Sequence, residues 1–331
     1  MDGVSVIICC YNSADVLPET LEYIAKQVVD KTLMWEVILV DNASTDNTSV
    51  IAKMCWDSYN HYVSFKVVFE GEPGLSHARL KGISEASFSF LLFCDDDNLL
   101  ASDYIQTGYS IMTKKTQVAL LGGKGEPRIN GICPDWFDRY AYQYAVGAQA
   151  AHSKDITIER GFVYGAGSFL RASAYQDLIG KGFKYTLTGR KGKSLVSGED
   201  NELGYALSLL GYSIYYDASL NFIHVLSTER LSFSYLKRLK RAVAYSAVLL
   251  IPYTAYRERA FFNKPVQFNF YKQLLLDSLY ILNGLMRYPF ASPAFKIDIK
   301  LDQQARFGKI KSLWENRKYL SKKEYWLSWL K

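Results

Sequence analysis

The chain has 331 residues, 49% of them apolar, and a formal net charge of +6. That much apolar material excludes a disordered chain and suffices for one large α/β domain with appendages, or for two modest domains. The charge is uneven: residues 309–331 hold seven Lys or Arg against two Glu, so the rest of the chain is near neutral and no nucleic-acid-binding face is expected.

The opening "MDGVSVIICCYN" has an acid at Asp2, no basic leader, and an apolar run from Val4 to Cys10 that is too short for a signal peptide. The five cysteines form no CxxC pair, and three of them sit in strand-like runs, which predicts reduced thiols in a cytoplasmic protein. Apolar windows at 242–256 and 274–286 fall short of the roughly 18 residues a membrane span needs.

The β-branched runs 4–10 and 35–40 flank a helix-like stretch and form a βαβ unit. The cap formers of "STDNT" announce a helix expected to turn Val50, Ile51 and Met54 inward. A third strand follows at 63–70, then the helix "GLSHARLKGISEA" and a fourth strand at 88–94. This alternation predicts a mostly parallel sheet with helices on both faces, and ligands gather at the carboxyl ends of such strands. Tyr11 with Asn12, Asp41 with Asn42, Glu70 to Gly74, and Asp95 to Asn98 all lie at strand ends and are predicted to share one rim. Beyond residue 118 the pattern is mixed, with a helix from about Glu199 stopped by Gly211 and a strand leading to His224. From there the chain reads as helical and basic.

Three adjacent aspartates, Asp95, Asp96 and Asp97, repel one another and persist either as a solvated turn or around a cation. In an extended DxD segment, Asp95 and Asp97 point the same way, so both can face a cation that grips a substrate diphosphate. Asp200, in the first turn of its helix, is either a cap or a fixed carboxylate able to take a proton from a hydroxyl. A lone His224 after a strand more often serves the core than a metal. "GGKGEP" lacks P-loop spacing, "GAGSFL" lacks the third glycine of a dinucleotide fingerprint, and no GxSxG elbow occurs.

Five ordered segments, "SVIICCYN", "VDNASTDNT", "EPGLSHARLKG", "CDDDN" and "SGEDNELGYALSLLG", resemble glycosyltransferase family 2, inverting enzymes of the GT-A fold. The resemblance spans residues 3–225 and implies a GT-A domain over 1–228, with a nucleotide-sugar-binding half (1–120) and an acceptor-binding half (121–228). Residues 229–331 then form a helical, basic and aromatic extension. It implies Asp200 as the catalytic base, and Tyr11, Asn12, Asp41, Asn42, Gly74, Arg79, Asp95 and Asp96 as nucleotide-sugar contacts. Asp97 and His224 would be ligands to a divalent metal, Mn2+ or Mg2+. Asn42 stands where the family has an acid, and an amide oxygen there can still accept from a pyrimidine N3–H, so UDP- or dTDP-linked donors are expected. The missing QxxRW motif implies transfer of a single sugar, onto a glycan or polyprenyl-linked acceptor of a surface polysaccharide. Glu199 and the segment 125–160, with Arg128, Trp136 and Tyr140, are expected to wall the acceptor.

A sugar-phosphate nucleotidyltransferase would want a Gly-rich loop with Arg where "YNSADVLPE" stands. A nucleotide-sugar-binding scaffold of a synthesis complex is the non-enzymatic alternative. Basic residues among Trp314, Tyr319, Tyr325, Trp326 and Trp329 suit peripheral contact with anionic lipid on the inner face of the cytoplasmic membrane, or equally a helix packed on the protein's own core.

Overall fold

The computed structural model describes residues 1–60, 62–187, 189–190, 195–323 and 326–330. Strands β1 (Val4–Cys10), β2 (Trp35–Asp41), β3 (Ser64–Phe69) and β4 (Phe90–Asp95) alternate with helices α1 (Leu17–Ala25), α2 (Thr48–Ser58) and α3 (Leu75–Glu85). Then come β5 (Asn98–Leu100), α4 (Tyr104–Lys114), β6 (Val118–Ile129), α5 (Phe137–Tyr140), β7 (Lys154–Asp155), β8 (Ser168–Arg171), α6 (Ala172–Gly180), α7 (Glu199–Leu209) and β9 (Ser213–Leu226). Helices α8 (Phe233–Leu249), α9 (Ile251–Phe262), α10 (Phe270–Arg287), α11 (Pro293–Glu315) and α12 (Arg317–Ser321) complete the chain.

The sheet order is β3-β2-β1-β4-β8-β6-β9-β5, with β7 on β9. The pairs β3–β2, β2–β1, β1–β4 and β6–β9 are parallel, while β8 runs antiparallel to both β4 and β6. From β1 the chain moves outward to β2 and β3, then returns to the other side of β1 as β4. Strand order therefore reverses at β1, and a crevice opens beyond its carboxyl end. Val4, Val6, Ile7 and Ile8 of β1 are all fully buried, because helices cover both faces. Each such side chain contributes about 1.5–3 kcal/mol.

Helix α2 departs from its expected orientation. Thr48, Ala52 and Trp56 are its buried stripe, whereas Val50 and Met54 are exposed. Trp56 stacks on Phe65 at 4.8 Å, and that one large ring sets which face turns inward.

The expected boundary at 228/229 does not divide the core. Leu249, Leu250 and Tyr253 pack with Ile7, Ile38 and Leu203, and Tyr235, Leu236 and Leu301 pack with Trp136 and Phe137. The tail's aromatics largely face the protein. Trp326 is fully buried beside Leu313 and Leu320 and donates to the Tyr319 carbonyl at 3.2 Å. Trp329 meets Phe183 at 5.5 Å. Trp314 is exposed, and Tyr325 lies outside the described residues.

Candidate active site

The carboxyl ends of β1, β2 and β4 open onto a cleft of about 1080 Å³. Ten of the residues singled out from sequence line it: Tyr11, Asn42, Gly74, Arg79, Asp95, Asp96, Asp97, Glu199, Asp200 and His224.

The three aspartates do not form an extended DxD. Asp95 ends β4, and Asp96 and Asp97 make the turn into β5, so the carboxylates fan apart instead of alternating. Each has its own partner. Asp95 Oδ1 lies 3.7 Å from Arg79 Nη2, Asp96 accepts a short hydrogen bond from the Ser13 hydroxyl, and Asp97 Oδ2 lies 2.7 Å from Arg230 Nη1. Asp97 Oδ1 is 3.3 Å from His224 Nε2. Burial and then the Asp97 charge push the Asp96 carboxyl up. Burial acts the same way on Asp97, but His224, Arg230 and Arg190 outweigh it and hold that carboxyl below the usual range. Separate partners explain why three adjacent acids are stable at the end of a core strand.

Arg79 on α3 ties the two acidic regions together. Its guanidinium lies between Asp95 and Glu199, with Glu199 Oε1 3.4 Å from Nη1. Burial opposes its charge, yet Glu199 and Asp95 more than compensate, so it stays cationic. A Cβ at Gly165 would come within 2.5 Å of Arg79 Nη2, so a larger residue on the 165 backbone would have to push the guanidinium off its place between Asp95 and Glu199.

That same backbone fixes Asp200. Gly165 N–H donates to Asp200 Oδ2 at 3.1 Å, and Asn201 N–H donates to Oδ1 at 2.8 Å. Asp200 sits in the first turn of α7, whose flanking Gly198 has φ 118°, a left-handed conformation that glycine adopts without penalty. Both readings of Asp200 are compatible with this geometry, since a carboxylate oriented by amides at a helix start also faces the cleft. Burial pushes the neighbouring Glu199 carboxyl up against the pull of Arg79.

Asn42 is committed to the 70–74 loop: its amide nitrogen donates to the Glu70 and Glu72 carbonyls, and its oxygen accepts from Gly74 N–H at 2.7 Å. One lone pair of that oxygen is therefore already engaged. Asn12 and Asp41 are absent from the cleft lining. Asn12 Oδ1 accepts from Thr45 N–H at 2.7 Å, and Asp41 accepts from Ser44 N–H and the Ser49 hydroxyl, so both shape the 41–49 turn.

Trp136 corrects the acceptor-wall expectation. At 7% exposure it packs among Phe137, Phe233 and Leu236. Arg128 pairs with Glu19, and Tyr140 donates to Asp298. Sequence reasoning missed the residues that do face the cleft here: Tyr142, Tyr144, Arg160, Phe162 and Tyr164, and from the helical extension Arg230, Val243, Ser246, Ala247 and Leu250. Arg160 lies over the Phe162 and Tyr164 rings at 4.4 and 4.7 Å. An arginine among aromatic residues within 160–164 is the only signal that pointed to it.

The groups that a divalent cation could share are a carboxylate oxygen of Asp97 and the His224 imidazole, whose Oδ1 and Nε2 lie 3.3 Å apart, with Arg230 Nη1 in the same corner, 2.7 Å from Asp97 Oδ2 and 3.4 Å from His224 Nε2. The carboxylate suits Mn2+ or Mg2+, the imidazole softer divalent ions. His224 Nδ1 is buried and has no hydrogen-bond partner among the described residues. Among the described residues no group of three His, Cys, Asp or Glu side chains is placed to hold a metal ion.

Comparison with known proteins agrees with the fold. Mannosyltransferase PcManGT from Pyrobaculum calidifontis, solved with GDP-Man and Mn2+, superposes with a TM-score of 0.58 at 16% identity, over 94% of this chain and 87% of that one. Residues 1–349 of Staphylococcus aureus TarS, solved with UDP, give 0.51 at 18% identity, over 96% and 91%. The architecture is thus the GT-A type. In sequence, the cholesterol galactosyltransferase of Borreliella burgdorferi is 38% identical over 109 residues, 32% of this chain and 28% of that protein. Glycosyltransferase AglE of Haloferax volcanii is 34% identical over 124 residues, 37% of this chain and 39% of that protein. The matches therefore span less than half the length of either relative. The family pattern described as glycosyl transferase family 2 matches residues 5–179, more than half of this chain, and the chain belongs to that family.

Proposed function

We propose that the protein is an inverting, metal-dependent glycosyltransferase that moves one sugar from a nucleoside-diphosphate donor, UDP- or dTDP-linked, to a hydroxyl of a glycan or polyprenyl-linked acceptor in surface polysaccharide synthesis at the inner membrane face. The observation that carries this reading is the meeting in one cleft of Asp200, held by two backbone amides, with the Asp95–Asp97 turn and His224. Family membership and relatives named for transfer to poly(ribitol-phosphate), such as the Bacillus spizizenii glucosyltransferase, support the acceptor class.

Asp200 takes the proton of the acceptor hydroxyl as its oxygen attacks the anomeric carbon from the face opposite the diphosphate. Arg79, paired with Asp95 and Glu199, holds the donor wall rigid and orients the two acids. Asp97 and His224 would hold a divalent cation, which supplies neutralisation of charge on the departing diphosphate. Arg230 and Arg190 add fixed positive charge on the same side. Tyr142 and Tyr164 offer ring faces against which an acceptor sugar packs and excludes water.

The test is to incubate the full chain with UDP- and dTDP-sugars, Mn2+ or EDTA, and a cell-envelope acceptor fraction, and to read the product's anomeric configuration by NMR. Metal-dependent transfer with inversion is expected. Transfer with retention, or no transfer from any nucleotide sugar, overturns the reading.

A further inference from the structure

Helix α10 carries its large apolar side chains outward. Tyr271, Leu275, Leu279, Leu282 and Met286 follow one another at steps of four, four, three and four, one stripe of a helix, and all are exposed. Met286 is 67% exposed, and Phe290 in the next turn 92%. Leu276, Tyr280 and Leu285 widen the stripe. Single exposed apolar residues are ordinary, but a contiguous face of this size marks an interaction surface.

The helix cannot bury this face by rolling. Asp277, its one fully buried residue, accepts from Gln273 Nε2 at 2.9 Å and forms an ion pair with Arg306 of α11. Rotation would leave that fully buried carboxylate without its cation, which is strongly unfavourable.

Charge identifies the occupant. Lys272 stands in the first turn of α10 and Arg287 in the last, and beside that end Lys296 and Lys300 of α11 lie 5.6 and 5.5 Å from the Tyr288 ring. The only acid on α10 is Asp277, which is already paired. A second copy laid antiparallel on this face would set Lys272 against Arg287, and one laid parallel would set each against itself, so self-association meets like charge. Anionic headgroups answer all four cations, and lysine and arginine stems lie along apolar surface with their heads at that level. At 18 residues α10 is about 27 Å long. Among the described residues no helix is long and apolar enough to cross a membrane, so such a helix lies in the interface plane.

We propose that this face of α10 is the protein's anionic-lipid-binding surface, with the Tyr271–Met286 stripe in the acyl boundary and Lys272, Arg287, Lys296 and Lys300 on the headgroups. It gives the membrane contact of the proposed function a location, and it rests on α10 alone, so it can fail or hold independently of the transferase reading.

Sedimentation of the full chain with vesicles of phosphatidylcholine, with and without phosphatidylglycerol, tests it. Binding to the anionic vesicles that weakens with salt, and at least tenfold in Leu279→Asp/Leu282→Asp, is expected. Both positions face solvent, so the variant keeps its urea midpoint. Lys272→Glu/Arg287→Glu gives a second variant that leaves the stripe intact and lowers binding to the anionic vesicles only. Absence of vesicle binding, or binding unchanged in the stripe variant, overturns the proposal. Light scattering that shows a dimer split by the stripe variant, without vesicle binding, assigns the face to a second copy.

Discussion

The wall of the cleft built by the ends of β1, β2 and β4 carries carboxylates that each have a fixed partner, whereas the wall from Tyr142 to Tyr164 carries rings and Arg160, which forms no ion pair among the described residues. The first wall is a set of strand ends whose positions the sheet dictates. The second is mostly loop, and its arginine lies over two aromatic faces. A fixed wall suits a ligand common to many enzymes, the nucleoside diphosphate, and an irregular wall suits an acceptor that varies from one enzyme to the next.

If the walls divide the work in this way, variants should separate. Asp200→Asn is expected to lower transfer by about 10²–10⁴-fold, the range for losing a general base, with the nucleotide Kd unchanged. A comparable fall in nucleotide affinity would put Asp200 on the donor wall instead. Arg79→Leu strands Asp95 and Glu199 and is expected to cost about 3–5 kcal/mol in urea unfolding, whereas the same change at Arg160, which supports no carboxylate, leaves stability nearly unaltered. Tyr164→Ala removes one ring from the second wall and should raise acceptor KM by about tenfold, the scale of a cation–π or stacking contact, while donor KM stays put.

The smallest effect lies outside both walls. The Arg128 hydrogen bond holds the Glu19 carboxyl below its usual pKa despite some burial. Its contribution is therefore present above the unfolded carboxyl's pKa of about 4.3 and fades as pH falls through the folded value. Glu19 is 41% exposed, so solvent screens the pair and the contribution is under about 1 kcal/mol. Glu19→Gln should flatten the stability profile on the acid side of pH 5 and leave the cleft untouched.

The first wall was legible in the sequence because each apolar run stops at a polar residue, and parallel strands bring those stops together. What spacing hid was direction. The alternation expected of Asp95 and Asp97 needs extended backbone, and the chain turns at Asp96. On α2, the small Ala52 and the polar Thr48 masked the buried stripe that Trp56 anchors. Trp136 was placed at the acceptor by composition, but a ring that size finds its best burial in the aromatic cluster beneath α8. Arg230 gave no local sign at all, since its partner Asp97 is 133 residues away in the chain. The run at 274–286 was visible only as an apolar window too short to span a membrane, broken by Asp277 and Asn283, and sequence could not show that Asp277 points inward while the apolar residues point out.

The most direct test of the donor site is calorimetric titration of the full chain with UDP and dTDP, each with Mn2+ and with EDTA, repeated on Asp97→Ala. Binding of at least one nucleotide that needs the metal and is lost in the variant is the expected result. Binding unchanged by EDTA and by Asp97→Ala would contradict a metal-held diphosphate at the Asp95–Asp97 turn.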